Sequence, residues 1–151
     1  MIENPSEQPL FYGQSKHTLD HKNRITIPAK WRSDGVPETF FVIPHPSGDC
    51  LLLLPPNEFR AVGEKVRNAP DLAQRDKRAF QRQFFSQAEH CVADKQGRLL
   101  LPDEHCARVE LAKEVLLVGA ETQIQVWSPG KWSRAKALEL SAYERVAEEH
   151  M

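Results

Sequence analysis

Two stretches of this chain, 74 residues apart, share one grammar: Thr18-Leu19-Asp20-His21-Lys22-Asn23-Arg24-Ile25-Thr26-Ile27-Pro28 and Val92-Ala93-Asp94-Lys95-Gln96-Gly97-Arg98-Leu99-Leu100-Leu101-Pro102. Asp, Arg and Pro coincide, and Ile25 and Ile27 answer to Leu99 and Leu101. The echo continues downstream. Phe40-Phe41-Val42-Ile43 matches Val115-Leu116-Leu117-Val118, and Leu51 to Leu54 with Pro56 and Phe59 matches Ile124 to Trp127 with Pro129 and Trp132. A repeat of this period makes each half one supersecondary unit, so the fold must be built from two related pieces.

Each half reads as two short strands about a tight turn, a proline-led helical turn, two apolar strands and an amphipathic helix. In the first half that helix is expected to start at Asn57 as N-cap, with Phe59, Val62 and Val66 on one face. In the second, Ser128 is the expected N-cap and Pro129 suits the first helical position, with Trp132, Ala135 and Leu138 or Glu139 following. A joining helix over 71–87 carries Leu72, Ala79, Phe80 and Phe84 as an apolar stripe, and Arg75, Arg78 and Arg82 on a solvated face. The predicted organisation is an N-terminal extension 1–12, a first repeat 13–67, a linking helix 68–86, a second repeat 87–140 and a tail 141–151. Both termini, 1–12 and 145–151, are expected to fray.

Asp20 and Arg24 stand four apart, as do Asp94 and Arg98. The β-branched Ile25-Thr26-Ile27 favours a strand after the turn, and Asn23 and Gly97 are residue types that tolerate positive φ. The expected geometry is a hairpin turn whose aspartate closes on its arginine. A salt-bridged turn is the plain reading of one such pair. Many residue pairs close a turn, so the same pair twice in equivalent places indicates that the arginines or their symmetry are used.

The net charge is −1, which gives a polyanion partner no support, but its distribution does. Residues 1–32 carry five Lys/Arg against three Asp/Glu, and residues 57–98 carry nine against six. Around the first turn lie Lys16, His17, His21, Lys22, Arg24, Lys30 and Arg32. Such a hairpin can set guanidinium groups against phosphate or a guanine edge, and a β-ribbon can enter a major groove. The second copy has Lys95 and Arg98 but also Asp103, Glu104 and Glu110 close behind, so the first repeat is expected to make most of the contacts.

Other classes are disfavoured by the residues. The longest aliphatic run, Leu51 to Leu54, is far short of the ~20 residues of a membrane-spanning helix. The first nine residues have neither a basic nor an apolar signal region, so a cytoplasmic protein is expected. Three cysteines, Cys50, Cys91 and Cys106, read as free thiols. His90-Cys91 and His105-Cys106 resemble zinc-ligand pairs, but adjacent side chains on a strand point to opposite faces. No metal and no cofactor are expected. The nucleotide-binding and hydrolase signatures are missing, so the chain is not expected to be an enzyme. A non-catalytic, ring-forming assembly protein is the alternative, followed by a metal-binding protein, with Trp31, Trp127 and Trp132 as core or interface anchors.

With its duplicated Asp-x-x-x-Arg turn, each followed by an apolar strand and proline, and its Leu51–Leu54 and Glu114–Gly119 strands, the chain resembles the MraZ family from about Phe11 to Leu140. The resemblance implies an α+β fold of two tandem AbrB-like (SpoVT-AbrB) swapped-hairpin units with a pseudo-two-fold axis. It implies a homo-oligomeric ring, octameric or larger, associated with the nucleoid. The ring would regulate transcription by binding double-stranded DNA at repeated boxes upstream of the division and cell-wall gene cluster. Lys22 and Arg24 would correspond to the DNA-reading hairpin, and Arg98 to its counterpart. The first turn departs from the family pattern in carrying Asn23 where Gly is usual, and the extension before Phe11 is long.

Overall fold

The computed structural model describes residues 10–33 and 38–151. Eight strands alternate with helical elements in the duplicated order expected: β1 Gln14–Thr18, β2 Arg24–Thr26, a 3-10 turn Ala29–Trp31, β3 Thr39–Pro44, β4 Cys50–Leu54 and α1 Pro56–Arg67. After α2 Gln74–Gln87 the pattern recurs as β5 Glu89–Val92, β6 Arg98–Leu100, α3 Asp103–Arg108, β7 Glu114–Ala120, β8 Gln123–Trp127 and α4 Pro129–His150.

The halves interleave. A six-stranded antiparallel sheet runs β1-β7-β8-β4-β3-β5, and a separate ribbon pairs β2 with β6. Thus β1 leaves its own repeat to pair with β7, Lys16 opposite Leu116, while β5 pairs with β3, Cys91 opposite Phe40. The turn after β1 is tight, yet the strands on either side of it, β1 and β2, belong to different sheets and do not pair with each other. The residues alone suggested an ordinary hairpin; the swapped arrangement implied by the family resemblance is the one present. It follows from burial, because each half presents one apolar face too small to close on itself.

Alternation along the strands sorts side chains to the two faces of the sheet. Phe40, Val42, Leu51, Leu53, Val115, Leu117, Ile124 and Val126 face the main core, where Ile25, Leu99, Ile27, Leu101 and Trp31 come down from the ribbon and its 3-10 turn. On the opposite face, Phe41 stacks on Phe59 of α1 at 4.2 Å. Cys50, Leu116, Val118 and Trp127 there pack against Trp132 and Ala135 of α4. The result is three layers: ribbon, sheet, helices.

Several boundaries differ from expectation. α1 begins at Pro56, with Pro55 rather than Asn57 at the N-cap position, because a proline ring presets the first helical φ and needs no donor. Ser128 does hold the N-cap position of α4, but its side chain makes no capping hydrogen bond. Leu72 precedes α2 and is 41% exposed, whereas Phe85, absent from the expected stripe, packs edge-on against Phe59 at 4.9 Å. The C-terminus does not fray at 145: α4 continues to His150 through a run rich in Ala, Leu and Glu, all strong helix formers. At the other end residues 1–9 lie outside the described residues, but Phe11 belongs to the fold. It is 4% exposed, bridges to Glu121 and meets Trp31 edge-on.

Candidate nucleic-acid interface

The two Asp-x-x-x-Arg turns are built alike. In the first, Asp20 Oδ1 accepts from the backbone N–H of Lys22 and of Arg24, both at 2.9 Å, and Oδ2 accepts from Arg24 Nε at 2.7 Å. In the second, Asp94 Oδ1 accepts from the N–H of Gln96 and Arg98, and Oδ2 from Arg98 Nε, at the same distances. The backbone closes in register, with Asp20 N donating to Arg24 O and Asp94 N to Arg98 O. Asn23 and Gly97 take φ of 59° and 80°, the conformation their residue types permit. The backbone N–H of Arg24, then its guanidinium and the N–H of Lys22, hold the Asp20 carboxyl down to about 2, and the matching groups lower Asp94. Both carboxylates are therefore charged at any physiological pH.

What this does to the arginines matters more. Nε is occupied by the carboxylate, which fixes the plane of the guanidinium. The terminal nitrogens of Arg24 have no partner among the described residues, and Arg98 Nη2 donates only to Gln96 Oε1 at 3.2 Å. In both turns the plane of the guanidinium is thus fixed from its Nε side, and a planar fork is the geometry that suits phosphate or guanine.

The ribbon puts both forks on one face. Arg24 lies opposite Leu100, Ile25 opposite Leu99 and Thr26 opposite Arg98. Ile25 and Leu99 are 1% and 0% exposed, so the intervening residues point the other way. Arg24, Thr26, Arg98 and Leu100 form that outer face, with the pseudo-dyad through the Ile25–Leu99 pair. From strand spacing and rise, the two arginine Cα atoms stand about 8 Å apart. Thr26 and Leu100, the latter 56% exposed, were missed by reasoning from the sequence. The alternation itself could have found them once the β2–β6 pairing was known.

The remaining predicted residues fall in different places. Lys22 is exposed at the tip of the first turn. Arg32 lies over the second turn, where a Cβ on Gly97 would come within 2.9 Å of its Cζ; its Nε is buried without a hydrogen-bond partner among the described residues. Lys30 Nζ sits 5.0 Å from the Tyr12 ring centroid and 5.3 Å from that of Trp31, a cation–π arrangement away from the ribbon. Lys16 is exposed on β1, an edge strand of the large sheet. His17 bonds Ser15 and is pushed toward the neutral form by burial. The geometry brings together Lys22, Arg24 and Arg98, adds Arg32 as a support of the second turn, and sets Lys30 and Lys16 apart from them. Asn23, beyond tolerating its backbone conformation, donates from Nδ2 to Asp103 Oδ1 at 2.6 Å and so ties the first turn to α3.

The metal pairs do not form. Among the described residues no three His, Cys, Asp or Glu side chains cluster to hold an ion. His105 Nε2 instead meets the Gln87 carbonyl at 2.7 Å, and burial raises the Cys91 and Cys106 thiols to about 11. Nor, among the described residues, is any helix long and apolar enough to cross a membrane.

A duplicated swapped-hairpin fold whose two halves jointly build one arginine-bearing ribbon defines a tandem AbrB-like protein. Comparison with known proteins narrows the class. The family model described as "MraZ protein, putative antitoxin-like" matches twice, over residues 10–83 and 84–149, and the chain belongs to the MraZ family. It is 37% identical over 140 residues to the transcriptional regulator MraZ of Natranaerobius thermophilus, covering 93% of this chain and 96% of that one. The protein of the same name from Moorella thermoacetica is 38% identical over 140 residues, covering 92% and 95%. That from Clostridium tetani is 37% identical over 139 residues, with 92% and 95% covered. The family is one of regulators, and the chain is not an enzyme.

Proposed function

We infer that the chain is a sequence-specific DNA-binding transcriptional regulator of the cytoplasm and nucleoid. In this reading the outer face of the β2–β6 ribbon enters the major groove. It reads repeated boxes upstream of the division and cell-wall gene cluster, and several copies act together in a ring. The observation that carries it is that Arg24 and Arg98, both half-buried, lie on one face of the ribbon, each with its guanidinium plane set by an aspartate through Nε. Lys22 and Lys95 at the turn tips add the charge that the ion-paired arginines lack. Because both arginines share the face, the second repeat takes part in contact as fully as the first.

Each turn carries a net charge of only +1, counting Asp20, Lys22 and Arg24 in one and Asp94, Lys95 and Arg98 in the other. A single ribbon is therefore a weak ligand for a polyanion. A ring presenting several ribbons to successive boxes gains from effective concentration what each contact lacks.

The test is titration of a fluorescent duplex from upstream of the chain's own gene, beside a scrambled duplex, over a salt series. Arg24→Ala and Arg98→Ala are each expected to weaken specific binding by ~1 to 3 kcal/mol if the contact is a bidentate base contact. Uniform weakening on both duplexes, with a salt slope smaller by about 1, would assign a phosphate contact instead. Equal affinity of the native protein for the two duplexes at moderate salt would refute the reading.

A further inference from the structure

The pseudo-dyad of the ribbon keeps its arginines and breaks at the residues beside them. Rotation about the Ile25–Leu99 pair exchanges Arg24 with Arg98 and Thr26 with Leu100, so two like arginines stand next to two unlike neighbours. The backbone hydrogen bonds fix how near those neighbours are. Leu101 N donates to Asn23 O at 2.9 Å and Ile27 N to Gly97 O at 2.8 Å, which makes Arg24–Leu100 and Thr26–Arg98 the non-hydrogen-bonded pairs of the ladder. Opposed residues of that kind bring their Cα atoms to about 4.5 Å, closer than the hydrogen-bonded kind, with their side chains on one face.

Leu100 is 56% exposed, while the other apolar strand residues of the ribbon, Ile25 and Leu99, are buried beneath it. A lone exposed leucine is ordinary on a protein surface. The company of this one is not, because the rest of its face is Thr26 and the two arginines, and that is the face assigned to the major groove. An apolar side chain there needs an apolar partner, and the apolar group that base pairs present in that groove is the C5 methyl of thymine. The spacing agrees. Successive bases lie about 3.4 Å apart along a strand, so a side chain whose Cα is about 4.5 Å from that of Arg24 falls on the base pair next to the one Arg24 faces. Thr26 differs in carrying a hydroxyl with its methyl, and so serves any base pair beside Arg98.

We propose that Leu100 is a specificity-determining residue of the ribbon, packing on the methyl of a thymine next to the base pair that Arg24 faces, while Thr26 leaves the equivalent position beside Arg98 permissive. A ribbon whose backbone is nearly symmetric then reads the two halves of a box with unequal strictness, and it has one preferred direction on the duplex. This deepens the DNA-reading function above and rests on it.

The test uses the full-length protein and the duplex from upstream of its own gene, each thymine of the repeated box being replaced in turn, in all copies at once, by deoxyuridine. That exchange removes the C5 methyl and leaves pairing and charge as they were. Wild type is expected to lose affinity about fourfold per box at one thymine, the effect of one buried methyl group. Leu100→Ala is expected to bind the unmodified duplex more weakly, with an unchanged salt slope because no charge is lost, and to be indifferent to that replacement. Thr26→Ala is expected to keep the full sensitivity. Because Leu100 is exposed, Leu100→Ala should retain the wild-type circular dichroism and urea midpoint. A sensitivity that persists in Leu100→Ala, or that Thr26→Ala abolishes, would overturn the assignment. So would a wild type indifferent to every replacement, and in each of these cases preference for the native over the scrambled duplex would leave the DNA reading standing. Equal wild-type affinity for those two duplexes would sink both.

Discussion

Gly97→Ala is a small change with a large expected consequence, because two independent costs meet at that atom. The backbone there has φ of 80°, which an L side chain adopts at a cost of roughly 1 to 2 kcal/mol. The new methyl would also fall on Arg32, within 2.9 Å of Cζ and 3.0 Å of Cδ. The guanidinium must then leave the second turn, an overpacking cost of ~1 to 3 kcal/mol. The expected total is about 2 to 5 kcal/mol. The assay is urea unfolding followed by far-UV circular dichroism at fixed protein concentration, run as a double-mutant cycle with Arg32→Ala. In the Arg32→Ala background only the backbone cost remains, so Gly97→Ala should lose no more than ~2 kcal/mol there. Equal losses in the two backgrounds would show that Arg32 does not occupy the space over the turn, and the support assigned to it would have to be withdrawn.

Three further outcomes are expected. The Asp20 carboxyl, lowered to about 2, stabilises the folded chain fully above its unfolded value near ~4 and loses that contribution as pH falls through about 2; a carboxyl NMR titration should show this midpoint. In Arg24→Ala the midpoint should rise only part of the way, since the backbone N–H groups still hold the carboxylate. Leu99→Ala, at a site 0% exposed under the ribbon, should cost ~2 to 5 kcal/mol by denaturant titration. The Cys50 thiol, pushed up to about 12 by burial, should react with a thiol reagent at neutral pH only as fast as the protein opens, so labelling of Cys50 should accelerate with urea.

The duplicated order of elements was legible because the repeat falls on residues with local jobs. Asp20 and Asp94 each hold a turn, Asn23 and Gly97 each permit positive φ, and Pro28 and Pro102 each lead a helical turn. The ion pairs of the turns were legible for the same reason. Long-range pairing was not, since a period of two fixes which side of a strand is apolar and is silent about its partner. Hence the sharing of one face by Arg24 and Arg98 follows only from the β2–β6 register, and the diversion of Lys30 to Tyr12 and Trp31 depends on where the segment at Phe11 is laid down. Contact between distant segments also decides the place of Arg32. Expected as a donor for DNA, it packs on a glycine 65 positions away in the sequence.

The exchange of strands between repeats has a temporal side. β1 finds its partner in β7, with Gln14 opposite Val118, about 100 residues later in the chain. At ribosomal rates of ~5 to 20 residues per second, the first strand emerges roughly 5 to 20 s before the strand it needs. For most of that interval the first repeat also lacks a β5 for its β3 and a β6 for its β2, which emerge only shortly before β7. The nascent protein must therefore wait, incomplete, for its own second half.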